Sequence, residues 1–105
     1  MIKPLSVNKC WQGRRFKTKE YKDYEKLLLR ALPDITIPEP PFEVVYEFGF
    51  SSSASDLDNP VKPFQDILQK RYGFNDKDIE LMTVRRHKVK KGLDFISFEI
   101  KNKKT

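Results

Sequence analysis

Residues Phe42 to Phe50 alternate strictly: Phe42, Val44, Tyr46, Phe48 and Phe50 are separated by Glu43, Val45, Glu47 and Gly49. Successive side chains of an extended strand point to opposite faces, so this period of two predicts a strand with one aromatic-rich face turned to a core. That face needs cover, and two stretches of helical periodicity can supply it. Tyr21, Tyr24, Leu27, Leu28, Ala31 and Leu32 recur at three- and four-residue intervals and mark one apolar side of a helix. Thr18 caps its start, Glu20 sits near its positive N-terminal end, and Pro33 stops it at Leu32. Val61, Phe64, Leu68 and Tyr72, with Ile67 beside them, mark a second helix. Asn59 is its expected N-cap, Pro60 its first residue and Gly73 its stop.

Ile79 to Val89 and Leu93 to Ile100 read as further strands, joined by a turn at Lys90-Lys91-Gly92. Met1 to Phe16 reads as an extended segment with turns and a short edge strand. The stretch from Pro33 to Pro41 holds four prolines and is a connector, and the charged tail Lys101 to Thr105 is expected to fray. The order helix, strand, helix, strand, strand predicts a single α/β or α+β domain over residues 1–105, a small mixed sheet with two helices on one face.

The net charge of +6 favours an anionic partner, most simply nucleic acid, although surface charge also serves solubility. Two clusters hold most of the positive charge. Lys9, Arg14, Arg15, Lys17, Lys19 and Lys22 crowd the start of the chain with Trp11 and Phe16 among them. Arg85, Arg86, His87, Lys88, Lys90 and Lys91 run along the third strand and its turn with no acid between them. A two-stranded ribbon of this kind can lie along phosphates; the alternative for each cluster is a solvated face. His87, the one histidine, reads as a surface or phosphate contact rather than a catalytic base.

Other chemistries lack their residues. The glycines at 13, 49, 73 and 92 are isolated, which excludes a Gly-rich phosphate loop. Cys10 is the one cysteine; it excludes an internal disulfide, leaves no zinc cluster, has no histidine beside it, and fits a reducing cytoplasm. The sequence shows no signal-peptide pattern, and no apolar run reaches the roughly 18 residues of a membrane helix, so no membrane partner is expected.

The acids of Asp56-Leu57-Asp58-Asn59-Pro60 are the exception within this basic chain. In extended backbone Asp56 and Asp58 face the same way, and two carboxylates so close repel unless a cation lies between them or one is protonated. Mg²⁺ suits such a pair, because it takes oxygen ligands and keeps waters free for a substrate. The same residues also make an ordinary helix start, with acids near the positive helix end. Lys62, in the first turn, opposes the helix dipole; it either meets a phosphate or is a surface lysine. Asp76 follows eighteen residues after Asp58 and joins the pair only if the fold returns it there.

Three stretches resemble the RusA family of Holliday junction resolvases, small endodeoxyribonucleases of bacteria and their prophages. Pro4-Leu5-Ser6-Val7-Asn8-Lys9 is similar to that family's N-terminal Pro-x-Ser-x-Asn segment. Asp56-Leu57-Asp58-Asn59 with Lys62 is similar to its Asp-Leu-Asp-Asn-x-x-Lys, and Gly73-Phe74-Asn75-Asp76 to its Gly-hydrophobic-x-Asp loop. The resemblance implies a homodimer whose two metal sites nick opposed strands of a four-way DNA junction in recombination and repair. It implies that Asp56, Asp58 and Asp76 are metal-site carboxylates for Mg²⁺, or Mn²⁺ in its place, and that Lys62 is a catalytic-site lysine. The metal would polarise the phosphodiester and activate water, and Lys62 would help neutralise developing charge. The DNA contacts expected on this reading are Lys9, Arg14, Arg15, Lys17, Arg85, Arg86, Lys88, Lys90 and Lys91.

The chain departs from the family pattern in three places. Ser51 to Ser55 stand where arginines often precede the paired acids, Asn75 replaces an acid before the third carboxylate, and the opening strand is nearly absent. Two other functions therefore stay in view, a basic nucleic-acid-binding module without catalysis and a nuclease for other branched DNA.

Overall fold

The structure, a computed structural model, describes residues 2–13, 16–52, 57 and 59–104. Its centre is the alternating strand, β3 (Phe42–Phe50), whose even-numbered side chains are all buried. β3 pairs parallel with β4 (Ile79–Lys88) and antiparallel with β5 (Phe95–Asn102), which gives a mixed three-stranded sheet in the order β4-β3-β5. A separate two-residue ribbon joins β1 (Trp11–Gln12) to β2 (Phe16–Lys17). With two helices, α1 (Lys19–Ala31) and α2 (Val61–Tyr72), the fold is α+β.

Both helices supply the core beneath the aromatic face of β3. Phe64 of α2 is fully buried and meets Tyr46, Phe48 and Phe98 edge-on at centroid distances of 5.4, 5.8 and 5.7 Å. Such edge-to-face aromatic pairs each contribute about 0.5–1.5 kcal/mol beyond the area they bury. α1 buries Tyr21, Tyr24 and Leu28. Its start is capped by Thr18, whose hydroxyl accepts the Tyr21 N–H at 3.1 Å, and extended backbone at Leu32 ends it before Pro33. The opposite face of the sheet carries Glu43, Val45, Glu47 and Gly49, and Gly49 leaves room for the ring of Phe95, which a Cβ there would strike.

Several details differ from the sequence reading. β4 and β5 are not a hairpin: β3 lies between them, so the ribbon expected across Lys90–Gly92 does not form. The six residues between β4 and β5 are ample to step over one strand, a distance of about 10 Å. The start of the chain contributes a 3₁₀ turn, Val7–Lys9, and the small ribbon, and none of its described residues adds an edge strand to the main sheet. The tail does not fray from Lys101: β5 runs to Asn102, whose side-chain amide donates to the Glu39 carbonyl at 2.6 Å, and the Lys103 N–H donates to the Pro41 carbonyl. α2 begins at Val61 rather than Pro60 and has no side-chain cap, while Gly73 ends it in the left-handed conformation at φ 75°. Leu27, expected on the apolar side of α1, is 52% exposed.

Candidate nucleic-acid interface

β3, α2 and β4 form a parallel β-α-β unit. α2 therefore runs back against the strands, with its first turn at the Phe50 end of the sheet and its last at the Phe42 end. The segment carrying Asp56 and Asp58 leaves β3 at its carboxyl end, which in α/β units is where ligands bind. Asp56 and Asp58 themselves lie outside the described residues, as do Arg14 and Arg15.

What surrounds that segment is described. The Val7 N–H donates to the Asn59 carbonyl at 2.9 Å, which ties the Pro4–Lys9 stretch to the residue next to Asp58. The Ser6 hydroxyl accepts the Asn8 N–H at 3.2 Å and shapes the turn that makes this contact. Two of the three resemblance-bearing stretches, some fifty residues apart in sequence, thus adjoin one another. Between them and α1 opens a cleft of about 630 Å³ whose polar lining includes Lys3, Lys9, Asn8, Ser52 and Asn59, with Glu20 and Asp23 on the helix side. The Tyr24 hydroxyl is buried beside this cleft without a full hydrogen bond; burial raises its pKa, an effect the Leu5 backbone only partly offsets.

Lys62 stands in the first turn of α2, mostly exposed, with its ammonium 2.7 Å from Asp66 one turn on. That pair offsets the charge a lysine places at the positive end of a helix. Asp76 is elsewhere. It opens a 3₁₀ turn, Asp76–Asp78, after the far end of α2 and next to the start of β4. The twelve residues of α2 rise about 18 Å. Lys62 and Asp76 of one chain are therefore held at opposite ends of the sheet. Asn75, which stands where an acid was expected, caps that 3₁₀ turn by accepting the Lys77 N–H at 3.1 Å.

The basic residues divide by strand alternation. Arg85 and His87 point to the open face, where Glu47 lies 4.0 Å from the guanidinium and 2.8 Å from His87 Nε2, and His87 also packs on Phe95. Arg86 and Lys88 point to the helix face, since their partners Phe48 and Phe50 are buried there. Arg86 donates to the Ser52 carbonyl at 3.5 Å and lies over the Phe50 ring. An arginine thus stands beside the serine stretch after all, supplied by β4 instead of by the residues before the acids. Lys90 and Lys91 continue from the same end and are exposed. Lys9 is exposed at the cleft, whereas Lys17 is held by Glu25 at 3.1 Å and lies over Tyr21.

Asp94 was not singled out by the sequence. It is the buried charged residue of the described chain, 6% exposed, and its carboxylate accepts the Ser51 N–H at 3.4 Å, fixing the start of the acid-bearing segment. Nothing local marks it, because its hydrogen-bond partner, Ser51, lies forty-three residues away. Cys10 is buried, and burial, with smaller effects from Asp66 and Glu20, pushes its thiol up to about 11; it is protonated at neutral pH and is no nucleophile.

Among the described residues no three carboxylate, histidine or cysteine side chains come together to hold a metal ion. No helix among them is long and apolar enough to cross a membrane. No model of a known protein family matches the chain, and no curated protein matches it.

Proposed function

We propose that this chain is a metal-dependent endonuclease for branched DNA, a RusA-like Holliday junction resolvase acting as a homodimer in the cytoplasm. The observation that carries the reading is the Val7–Asn59 hydrogen bond, which sets the Pro4–Lys9 stretch against the residue that follows Asp58 in sequence. Lys62, paired with Asp66, follows Asn59 by one helical turn, Arg86 reaches the Ser52 carbonyl, and Lys9 lines a cleft with the Asn8 and Asn59 amides; these are groups suited to phosphate oxygens. Lys62 is placed to neutralise charge that develops on a phosphate held at the first turn of α2. Asp56 and Asp58, with Mg²⁺ or Mn²⁺, complete the proposed chemistry, whereas Asp76, past the far end of α2, does not stand beside Lys62 of the same chain.

Asp58→Asn should abolish cleavage of a synthetic four-way junction while leaving binding in a gel-shift assay largely intact, because it removes one charge and little volume. Lys62→Ala should lower the single-turnover cleavage rate by roughly 100-fold, the usual cost of losing one charge-stabilising group. Cleavage by Asp58→Asn at the wild-type rate would overturn the assignment of the acids.

A further inference from the structure

The small ribbon at the start of the chain displays an aromatic ring that the core does not use. Trp11 pairs with Lys17, and Gln12 with Phe16. Side chains alternate across a strand, so Trp11 and Lys17 share one side of the ribbon and Gln12 and Phe16 the other. The first side faces α1. Trp11 meets the Tyr21 ring edge-on at 5.7 Å, and the Lys17 ammonium lies over that ring at 5.1 Å while Glu25 holds it at 3.1 Å. The root of the ribbon is pinned as well: the Thr18 N–H donates to the Cys10 carbonyl at 2.9 Å, the Thr18 hydroxyl donates to the Lys9 carbonyl, and Cys10 is buried. An isolated two-stranded ribbon is barely stable in water, so this one owes its shape to those anchors. Phe16 is left on the outer side and is 72% exposed, more than any other large apolar side chain among the described residues.

We propose that Phe16 is a stacking platform for an unpaired base of single-stranded DNA, with Lys9 and Lys22 as contacts for neighbouring phosphates. A lone exposed apolar side chain is ordinary, but this one has particular surroundings. Its neighbour across the ribbon, Gln12, is polar, so that side offers one flat ring and no apolar patch of the size a protein partner or a lipid layer would bury. A nucleobase is flat and of similar size, and every base has a face that stacks on an aromatic ring. Charge agrees with this occupant. Residues 9–22 hold six lysines and arginines against one acid, Glu20. Lys17 and Lys19 are taken up by Glu25 and Asp23, whereas Lys9 and Lys22 are exposed and make no ion pair among the described residues. The anchors beneath the ribbon present the ring already ordered, so little conformational freedom is lost when a base settles on it.

The ribbon adjoins the cleft described above. It continues from the 3₁₀ turn Val7–Lys9, whose Val7 N–H meets the Asn59 carbonyl, and Lys9 lines the cleft. Lys9 precedes Gln12 by three residues, at most about 10 Å of chain, so a strand bound at Lys9 can lay a neighbouring base on Phe16. Branched DNA exposes unpaired bases where its helices meet. The inference thus extends the nuclease reading without needing it, since stacking asks nothing of the acids or of a metal.

Fluorescence anisotropy of a labelled oligothymidylate in metal-free buffer tests the platform with no cleavage involved. The wild type should bind it. Phe16→Ala should weaken that binding by roughly 5- to 100-fold, as the loss of one stacked base does, and leave a blunt duplex, whose bases are already stacked, bound as before. Phe16→Tyr should keep the affinity and Phe16→Leu should not, because leucine keeps apolar volume without a flat ring. Phe16 is too exposed for these changes to unsettle the fold. Lys9→Ala and Lys22→Ala should weaken both DNAs, each flattening the slope of log affinity against log salt for the single strand by about 0.7. A wild type that does not bind the oligothymidylate, a Phe16→Ala chain that binds it as tightly, or one that loses the duplex to the same extent overturns the platform. Phe16-dependent binding to phosphatidylserine vesicles in place of DNA overturns it too, and a salt slope unchanged in both lysine variants overturns the role given to the lysines. Junction cleavage is scored separately. A wild type with Phe16-dependent oligothymidylate binding that cuts no junction refutes the nuclease reading and leaves the platform standing, and an active wild type whose Phe16→Ala form binds the oligothymidylate unchanged does the reverse.

Discussion

Gly49 faces Phe95 across the β3–β5 pair, and the Phe95 ring lies over the glycine and against His87 at 5.6 Å. A side chain at 49 would have to displace an aromatic ring already packed on its other side. Gly49→Ala should therefore cost about 1–3 kcal/mol, as overpacking does, measured by urea unfolding. Combined with Phe95→Ala it should cost no more than Phe95→Ala alone, because the obstacle is gone; additive losses would show that the clash is not the cause. The same ring orders the open face around Glu47 and His87, so a residue chosen for packing also sets where two charges of the proposed DNA-binding strand point.

Among the elements, α1 and α2 are joined at Glu25, which accepts from Lys17 at 3.1 Å and from Lys70 at 3.0 Å. Burial works against its charge, but those two bonds outweigh it and hold the carboxyl below its ordinary pKa of 4.5. A carboxylate whose folded pKa is depressed stabilises the fold fully above its unfolded pKa and loses that contribution as pH falls through the folded one. Stability should therefore decline below pH 4.5, and Glu25→Gln should flatten that part of the curve while lowering stability at pH 7; an unchanged acid limb would contradict the role. Periodicity made these helices and β3 legible in the sequence, because three- and four-residue and two-residue repeats are local signals. The order β4-β3-β5 was not legible. The Lys90–Gly92 turn looks locally like a hairpin, and only the long aromatic face of β3 decides that it takes the middle. Of the proposed site, the neighbouring motifs could be read, whereas the Val7–Asn59 contact, the Arg86 position and the burial of Asp94 depend on residues far apart in sequence.

For the whole molecule, charge and topology point the same way. The parallel β-α-β unit places its carboxyl end beside Lys9, Lys62 and Arg86, cations that suit the proposed phosphate substrate. The direct test is cleavage of a synthetic four-way junction by the purified protein with Mg²⁺, the products mapped on a denaturing gel. Paired nicks in opposed strands, absent without metal and far weaker on linear duplex, are the predicted result. Tight junction binding with no nicks under either Mg²⁺ or Mn²⁺ would contradict the nuclease and leave a basic DNA-binding module in its place.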